Sequence, residues 1–267
     1  MAVCVVGALL VGCGAAPPND GGPTGGGSST TDGGAGPEQL RVEVVQVMPH
    51  DRTAFTQGLE LVDGLLYEGT GLEGRSTLRV VDPATGTVQR QTALPQDLFG
   101  EGITAVGPTI WQLTWQEGIA IQRDRGTLEE LRRVSYTGEG WGLCHDGTAG
   151  RLVMSDGTDR LTFRDPESFE QVGEVRVSSG GSAVDRINEL ECVDGAVYAN
   201  IWQTDTIMRI DPGSGQVTAS IDVTGLLTPE ERAGTDVLNG IAAIPGTDEF
   251  LLTGKYWPKM FRVKFVS

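Results

Sequence analysis

The sequence predicts an all-β chain, a five-bladed β-propeller whose last blade is closed by the N-terminal strand, and three observations carry the prediction. Five times a polar or aromatic residue stands directly before an apolar-alternating run: Gln57 in FTQGLEL, Glu101 in FGEGITA, Trp141 in GWGLC, Asn188 in INELEC and Asn239 in LNGIAA. From the next residue (Gly58, Gly102, Gly142, Glu189) it is about 22 to 24 residues to a turn signal at Asp82, Asp124, Asp165 or Asp211, and each turn leads into another short β-rich run. The unit recurs about every 40 to 50 residues, the length of four hairpin-linked strands in one blade. Helical periodicity is nearly absent, and residues 228–232 (TPEER) are the one stretch that suits a short helix. A repeat that keeps its frame while varying the chemistry at one register describes a ring of different groups facing a common axis.

The elements follow in chain order. Residues 1–12 are apolar and run into Leu10, Val11, Gly12 and Cys13, which resembles a bacterial lipobox; residues 1–13 are expected to be a lipoprotein signal ending at a lipidated Cys13. Residues 14–37 are mostly Gly, Ser, Pro, Thr and Asp, unable to bury a core, and read as a flexible linker. On this reading the protein is exported and lipid-anchored to the bacterial cell envelope. Gly14 lacks the acidic signal that retains such proteins at the inner membrane, which favours the outer membrane and periplasm. No stretch is long enough for a transmembrane helix, so Cys13 is the one expected membrane contact. Residues 38–267 are expected to form the propeller domain. Its fifth unit reaches Ser267 with three strands, and residues 40–47 (LRVEVVQV) alternate without a partner, so they are expected to supply that unit's outer strand and cover its edge.

Charge and composition exclude several functions. A formal net charge of −16 gives no basic footprint for nucleic acid or an anionic membrane, and cationic or neutral peptides are better tolerated. A monomer is expected. With only His50 and His145 among the histidines, no zinc site of ordinary spacing can be drawn, and both read as structural, His145 in a turn and His50 at the entry to the first blade. Whether an ion occupies the central channel stays open. Cys144 and Cys192 are the domain's only cysteine pair, in first strands of neighbouring blades. An oxidising compartment permits a bridge. Their registers differ by one, however, which points the side chains to opposite faces and favours two buried free thiols.

Inner strands of a propeller run along its channel, so the residues that open them crowd one end, where ligands bind. Glu101 is then a carboxylate near the axis beside Gln57, Asn188, Asn239 and Trp141. Burial there raises a carboxyl toward neutral pH, which suits a proton shuttle; tying neighbouring blades together is the competing use. Trp115 and Trp202 hold equivalent places thirteen residues after Gly102 and Glu189, as core aromatics or as walls. Lys255, flanked by Tyr256 and Trp257, ends a second strand as a partly desolvated cation.

Ten motifs in order, HDRTAFTQGL, YEGTG, FGEG, LTW, GWGL, SDGT, NELE, ANIW, LNGIA and TGKYWP, span the domain, and together they resemble the plant and bacterial type of glutaminyl-peptide cyclotransferase. The resemblance implies a five-bladed propeller that turns an N-terminal glutamine of a peptide or protein into pyroglutamate with loss of ammonia, using no cofactor and no metal. It implies Glu101 as general acid and base, with Gln57, Asn188 and Lys255 as further catalytic groups holding the amide and its oxyanion. Phe55, Trp115, Trp141 and Trp202, with Asn239, would bind the substrate. Two departures, Gly69 in YEGTG and Cys144 after GWGL, touch none of these groups. Two other classes stay open at this point: a non-catalytic lipoprotein propeller binding proteins or glycans, and a metal-dependent lactonase-like propeller.

Overall fold

The computed structural model describes residues 36–267; the expected signal, Cys13 and all but the last two linker residues lie outside the described residues. Strand β1 (Glu38–Pro49) leads into three antiparallel four-stranded sheets in sequence order. The first holds β2 (Thr56–Val62), β3 (Leu65–Thr70), β4 (Thr77–Val81) and β5 (Val88–Ala93); the second β6 (Gly100–Val106), β7 (Thr109–Thr114), β8 (Ile119–Asp124) and β9 (Glu130–Ser135). The third holds β10 (Leu143–Asp146), β11 (Arg151–Ser155), β12 (Arg160–Arg164) and β13 (Gln171–Arg176). A two-residue hairpin, β14 (Ser178–Ser179) and β15 (Ser182–Ala183), precedes β16 (Ile187–Val193), β17 (Ala196–Ile201), β18 (Thr206–Ile210) and β19 (Val217–Asp222). Helix α1 (Pro229–Arg232) then leads to β20 (Leu238–Ala243), β21 (Glu249–Gly254) and β22 (Lys259–Val266). His145 lies within β10, not in a turn.

The last two units are one eight-stranded sheet in the order β16-β17-β18-β19-β1-β22-β21-β20. Strand β1 joins them, antiparallel to β22 from Arg41 to Pro49 and parallel to β19 from Glu38 to Arg41. It occupies two edges that would otherwise offer unpaired N–H and C=O groups. The turn signals are Asx turns between third and fourth strands: Asp82, Asp165 and Asp211 each accept backbone N–H groups two and three residues on, and Asp124 accepts Thr127 N. Helix α1 is started by a capping box, with Thr228 and Glu231 each bonded to the other's backbone.

Burial falls from first strand to fourth. Strand β6 is buried on both faces for all but its last residue, while β5, β9 and β13 are mostly exposed. The first strands pack in succession, β2 on β6, β6 on β10, β10 on β16, β16 on β20 and β20 on β2, returning to the start. Glycine makes this approach possible: a Cβ on Gly102 would lie 2.7 Å from Leu143 N and Trp141 O. At the equivalent place in β16 stands Glu189, whose buried carboxylate reaches across to accept Leu59 N at 3.2 Å and Ile241 N at 2.9 Å, tying β2, β16 and β20 together.

The free-thiol expectation is corrected: Cys144 and Cys192 form a disulfide, with Cα atoms 5.4 Å apart. The parity argument treated the two strands as members of one sheet. Neighbouring sheets here stack face to face, so side chains that meet must leave opposite faces of their own strands. Both cysteines belong to the apolar layer of Val153, Phe163, Leu190 and Val197 between the third sheet and the next. The bridge closes a loop of 48 residues, and reducing it is expected to cost about 2–4 kcal/mol of unfolding free energy. Denaturant melts with and without reductant test this, and equal midpoints in the two would show the bridge to be energetically idle.

Candidate active site

Each first strand carries one surplus residue at the ring register. Thr56 faces Thr70 but Gly58 faces Gly69; Gly100 faces Thr114 but Ile103 faces Gln112. Ile187 faces Ile201 but Leu190 faces Ala199, and Leu238 faces Gly254 but Ile241 faces Leu252. In the third unit Trp141 N donates to Ser155 O while Ser155 N donates to Gly142 O, so two residues again oppose one. A β-bulge bends its strand and re-aims a side chain, which is how Gln57, Glu101, Trp141 and Asn188 turn toward one cavity.

Two further registers complete the mouth. One lies two residues before each ring member: Phe55, Phe99, Glu139, Arg186 and Val237. The other follows each second strand: Gly71, Trp115, Asp156, Trp202 and Lys255. Backbone bonds stitch them together, Gly71 N to Phe55 O, Trp115 N to Phe99 O, Trp202 N to Arg186 O and Lys255 N to Val237 O, all at 2.8–3.0 Å. The cavity they enclose measures about 430 Å³. Phe55, Gln57, Glu101, Trp115, Trp141, Asn188, Trp202 and Lys255, all singled out in the sequence, line it. Phe99, Gln203, Asp236 and Val237 line it as well. Phe99 and Val237 carried a legible signal, since they share the register of Phe55; Gln203 and Asp236 did not.

Asn239 does not line the cavity, which corrects its assignment to substrate contact. It is fully buried behind Gln57, where its Nδ2 donates to Gln57 Oε1 at 3.1 Å and to Thr56 O at 3.0 Å. Those bonds fix the amide of Gln57: with Oε1 accepting, Nε2 must face the other way, and it donates to Glu101 Oε1 at 2.9 Å. Glu101 Oε2 is buried and receives no protein donor, and neither does Asn188 Oδ1. Two buried acceptors in one aromatic cavity match a donor-rich guest such as an ammonium or a primary carboxamide.

Burial pushes Glu101 well above the ordinary carboxylate range; Lys255 opposes this, and Glu117 and Glu139 add to it. Burial likewise lowers Lys255, whose attraction to Glu101 and Asp236 works the other way. The Lys255 ammonium lies 4.6 Å from the centre of the Phe55 ring. Phe99 stands edge-on to both Phe55 and Trp115, and Trp141 edge-on to Trp202 at 5.7 Å. The site is therefore an aromatic cup with a carboxyl shifted upward and an amine shifted downward by burial.

Sheets and cavity together define an all-β enzyme, and comparison with known proteins gives its kind. A model of the glutamine cyclotransferase family matches residues 23–265, and the chain belongs to that family. A glutaminyl-peptide cyclotransferase of Arabidopsis thaliana is 38% identical over 229 residues, 84% of this chain and 71% of that protein. The crystal structure of Myxococcus xanthus glutaminyl cyclase matches with a TM-score of 0.78 at 38% identity, covering 86% of this chain and 98% of that one. The β-propeller domain of Myceliophteria thermophila Cps50 (Swd1) matches at 10% identity with a TM-score of 0.50, covering 84% and 99%, a likeness of fold alone.

Proposed function

We propose that this chain is a five-bladed β-propeller enzyme that converts the N-terminal glutamine of peptides or proteins into pyroglutamate and releases ammonia. The blade count is supported by the three four-stranded sheets, the eight strands shared by the last two units, and the return of β20 to β2. The observation that carries the activity is the buried Glu101, held by Gln57 on one oxygen and open on the other, facing a buried Lys255 among aromatic walls.

Both reactants sit in one substrate molecule, so the enzyme must fold the glutamine side chain back and move protons. Glu101 Oε2 takes a proton from the α-ammonium, freeing the nitrogen lone pair. That nitrogen attacks the γ-carboxamide carbon, and the carbonyl oxygen gathers negative charge that Lys255 stabilises. Glu101 returns the proton to the amide nitrogen as the carbon–nitrogen bond breaks and ammonia leaves; the second proton of the new ring nitrogen passes through Glu101 to the departing ammonia, so the products are the neutral lactam and ammonium. A carboxyl raised toward the acidity of an amine suits both transfers. Asn188 Oδ1 accepts from the ammonium or the carboxamide, while Trp115, Trp141 and Trp202 hold the side chain in its cyclising shape and exclude water.

The deciding experiment measures ammonia release and the matching mass loss when residues 36–267 meet a short glutamine-initiated peptide, with and without a chelator. Release that survives the chelator supports a metal-independent cyclotransferase; no release from folded protein would favour a binding module. The lipobox supports a second proposal, that Cys13 carries the lipid anchor. Palmitate labelling should be lost in Cys13→Ala, and labelling that persists would end that reading.

A further inference from the structure

Glu139 lines no part of the cavity, yet two of the cavity's walls are fastened to it. Trp115 follows β7 in the second sheet and Trp141 precedes β10 in the third. Both indole Nε1–H groups donate to one carboxylate oxygen, Glu139 Oε2, each at 2.9 Å. The other oxygen accepts Gln116 Nε2 at 3.0 Å. Glu139 occupies the register that Phe55 and Phe99 hold in the first two units, so an acceptor for the two indoles has replaced a third phenylalanine. An indole N–H can only donate, and these two have one shared partner. Trp141 is braced elsewhere by Trp202 and by Gly157, where a Cβ would lie 2.7 Å from its ring. For Trp115 the edge contact with Phe99 is the other restraint.

We infer that Glu139 is a positioning residue for the cyclisation, one carboxylate that orients Trp115 and Trp141 as walls around the substrate's glutamine side chain. Burial disfavours its charge, but the hydrogen bonds from Trp141, Gln116 and Trp115 hold its carboxyl below the ordinary range, so it is an anion at neutral pH. The charge acts on the reaction as well. Lys255, Glu117 and Glu139 are the charged groups that act on Glu101, with Tyr136 a further titratable neighbour, and Glu139 adds to the effect of burial in keeping Glu101 basic. The inference rests on the cyclotransferase reading and extends it to a residue outside the cavity.

The test compares wild type, Glu139→Gln and Glu139→Leu by ammonia release across the pH profile, beside nitrogen-15 indole spectra assigned with Trp115→Phe and Trp141→Phe. Glu139→Leu should lower kcat/KM about tenfold, the scale of a lost hydrogen bond to a charged group, and shift the Trp115 and Trp141 indole resonances. Glu139→Gln keeps an acceptor and should recover activity to within about threefold of wild type. In both variants the acid limb of kcat/KM should move to lower pH, because Glu101 loses a negative neighbour and ionises more readily. If Glu139→Leu folds poorly, the acid limb and indole spectrum of Glu139→Gln decide. An unshifted limb with both indole resonances in place overturns the inference. A wild type that releases no ammonia overturns the cyclotransferase reading instead, and the indole resonances still report whether Glu139 orients the rings.

Discussion

Glu101→Gln is expected to lower kcat/KM for a glutamine-initiated peptide by about 10³-fold, within the range that a positioned acid and base contributes. The replacement preserves shape and hydrogen bonding: an amide oxygen at the same place still accepts from Gln57 Nε2. What it removes is the group proposed to take a proton from the α-ammonium and return it to the departing nitrogen. Stability should hold or rise, because a buried carboxyl held far above its ordinary range is costly to ionise and a neutral amide is not. Lys255 should then lose its proton more easily, since Glu101 is the larger of the two attractions, ahead of Asp236, that oppose its burial. Ammonia release and a thermal melt on the same protein check both halves. A variant that keeps a tenth or more of wild-type turnover would remove Glu101 from the proton path.

The ring of residues around the cavity was legible because the repeat writes it five times at one register while the flanking pattern stays fixed. Depth along that register was not legible: Asn239 shares the frame of Gln57 yet lies behind it, and only the bond from its Nδ2 to Gln57 Oε1 shows that it acts through its neighbour. The cysteines show a related limit. Alternation along a strand gives the face of a side chain, but which face meets the next sheet depends on how the sheets stack. Glu139 was missed because the register two residues before the ring was not followed, and the change of chemistry from Phe55 and Phe99 to a carboxylate hides the equivalence. His50 was read as structural from its place at the domain entry, but its bonds to Glu68 and to the Trp257 carbonyl span 18 and 207 residues, and Arg79, which ties Glu68 to Asp51, lies 11 and 28 residues from them, with no period to reveal them.

Those partners set the second large effect, Glu68→Ala, which is expected to cost about 3–5 kcal/mol of unfolding free energy. Glu68 is fully buried, and its Oε1 accepts from His50 Nε2 at 3.0 Å and from Thr56 Oγ1 at 2.6 Å. Its Oε2 accepts Arg79 Nε at 2.9 Å, and Arg79 also reaches Asp51. His50 Nδ1 lies 2.8 Å from the Trp257 carbonyl, so both ring nitrogens face acceptors and the imidazole is held as a cation. Removing the carboxylate leaves the buried His50 cation without a carboxylate and Arg79 with Asp51 alone, and it loosens the turn that presents Lys255 to the cavity. Burial works against the charges on Glu68 and His50, yet each sustains the other: Glu68 falls to about 2, and His50 rises above its ordinary value. Because Glu68 is lowered, its stabilisation is complete above the ordinary carboxyl value of 4.5 and is lost as pH falls toward about 2. That window is worth about 3 kcal/mol. His50 has the opposite sign, its contribution complete below 6.5 and lost as pH rises through its raised value. The buried Glu189, pushed up chiefly by burial, also weakens the fold as pH climbs above 4.5. The wild type should therefore be most stable at mildly acidic pH, and Glu68→Ala should lower the stability maximum and flatten its acid flank. Urea midpoints measured across the acid range give the answer: an equally steep acid flank in the variant would place the acid-sensitive charge elsewhere and reduce the His50–Glu68–Arg79 cluster to packing.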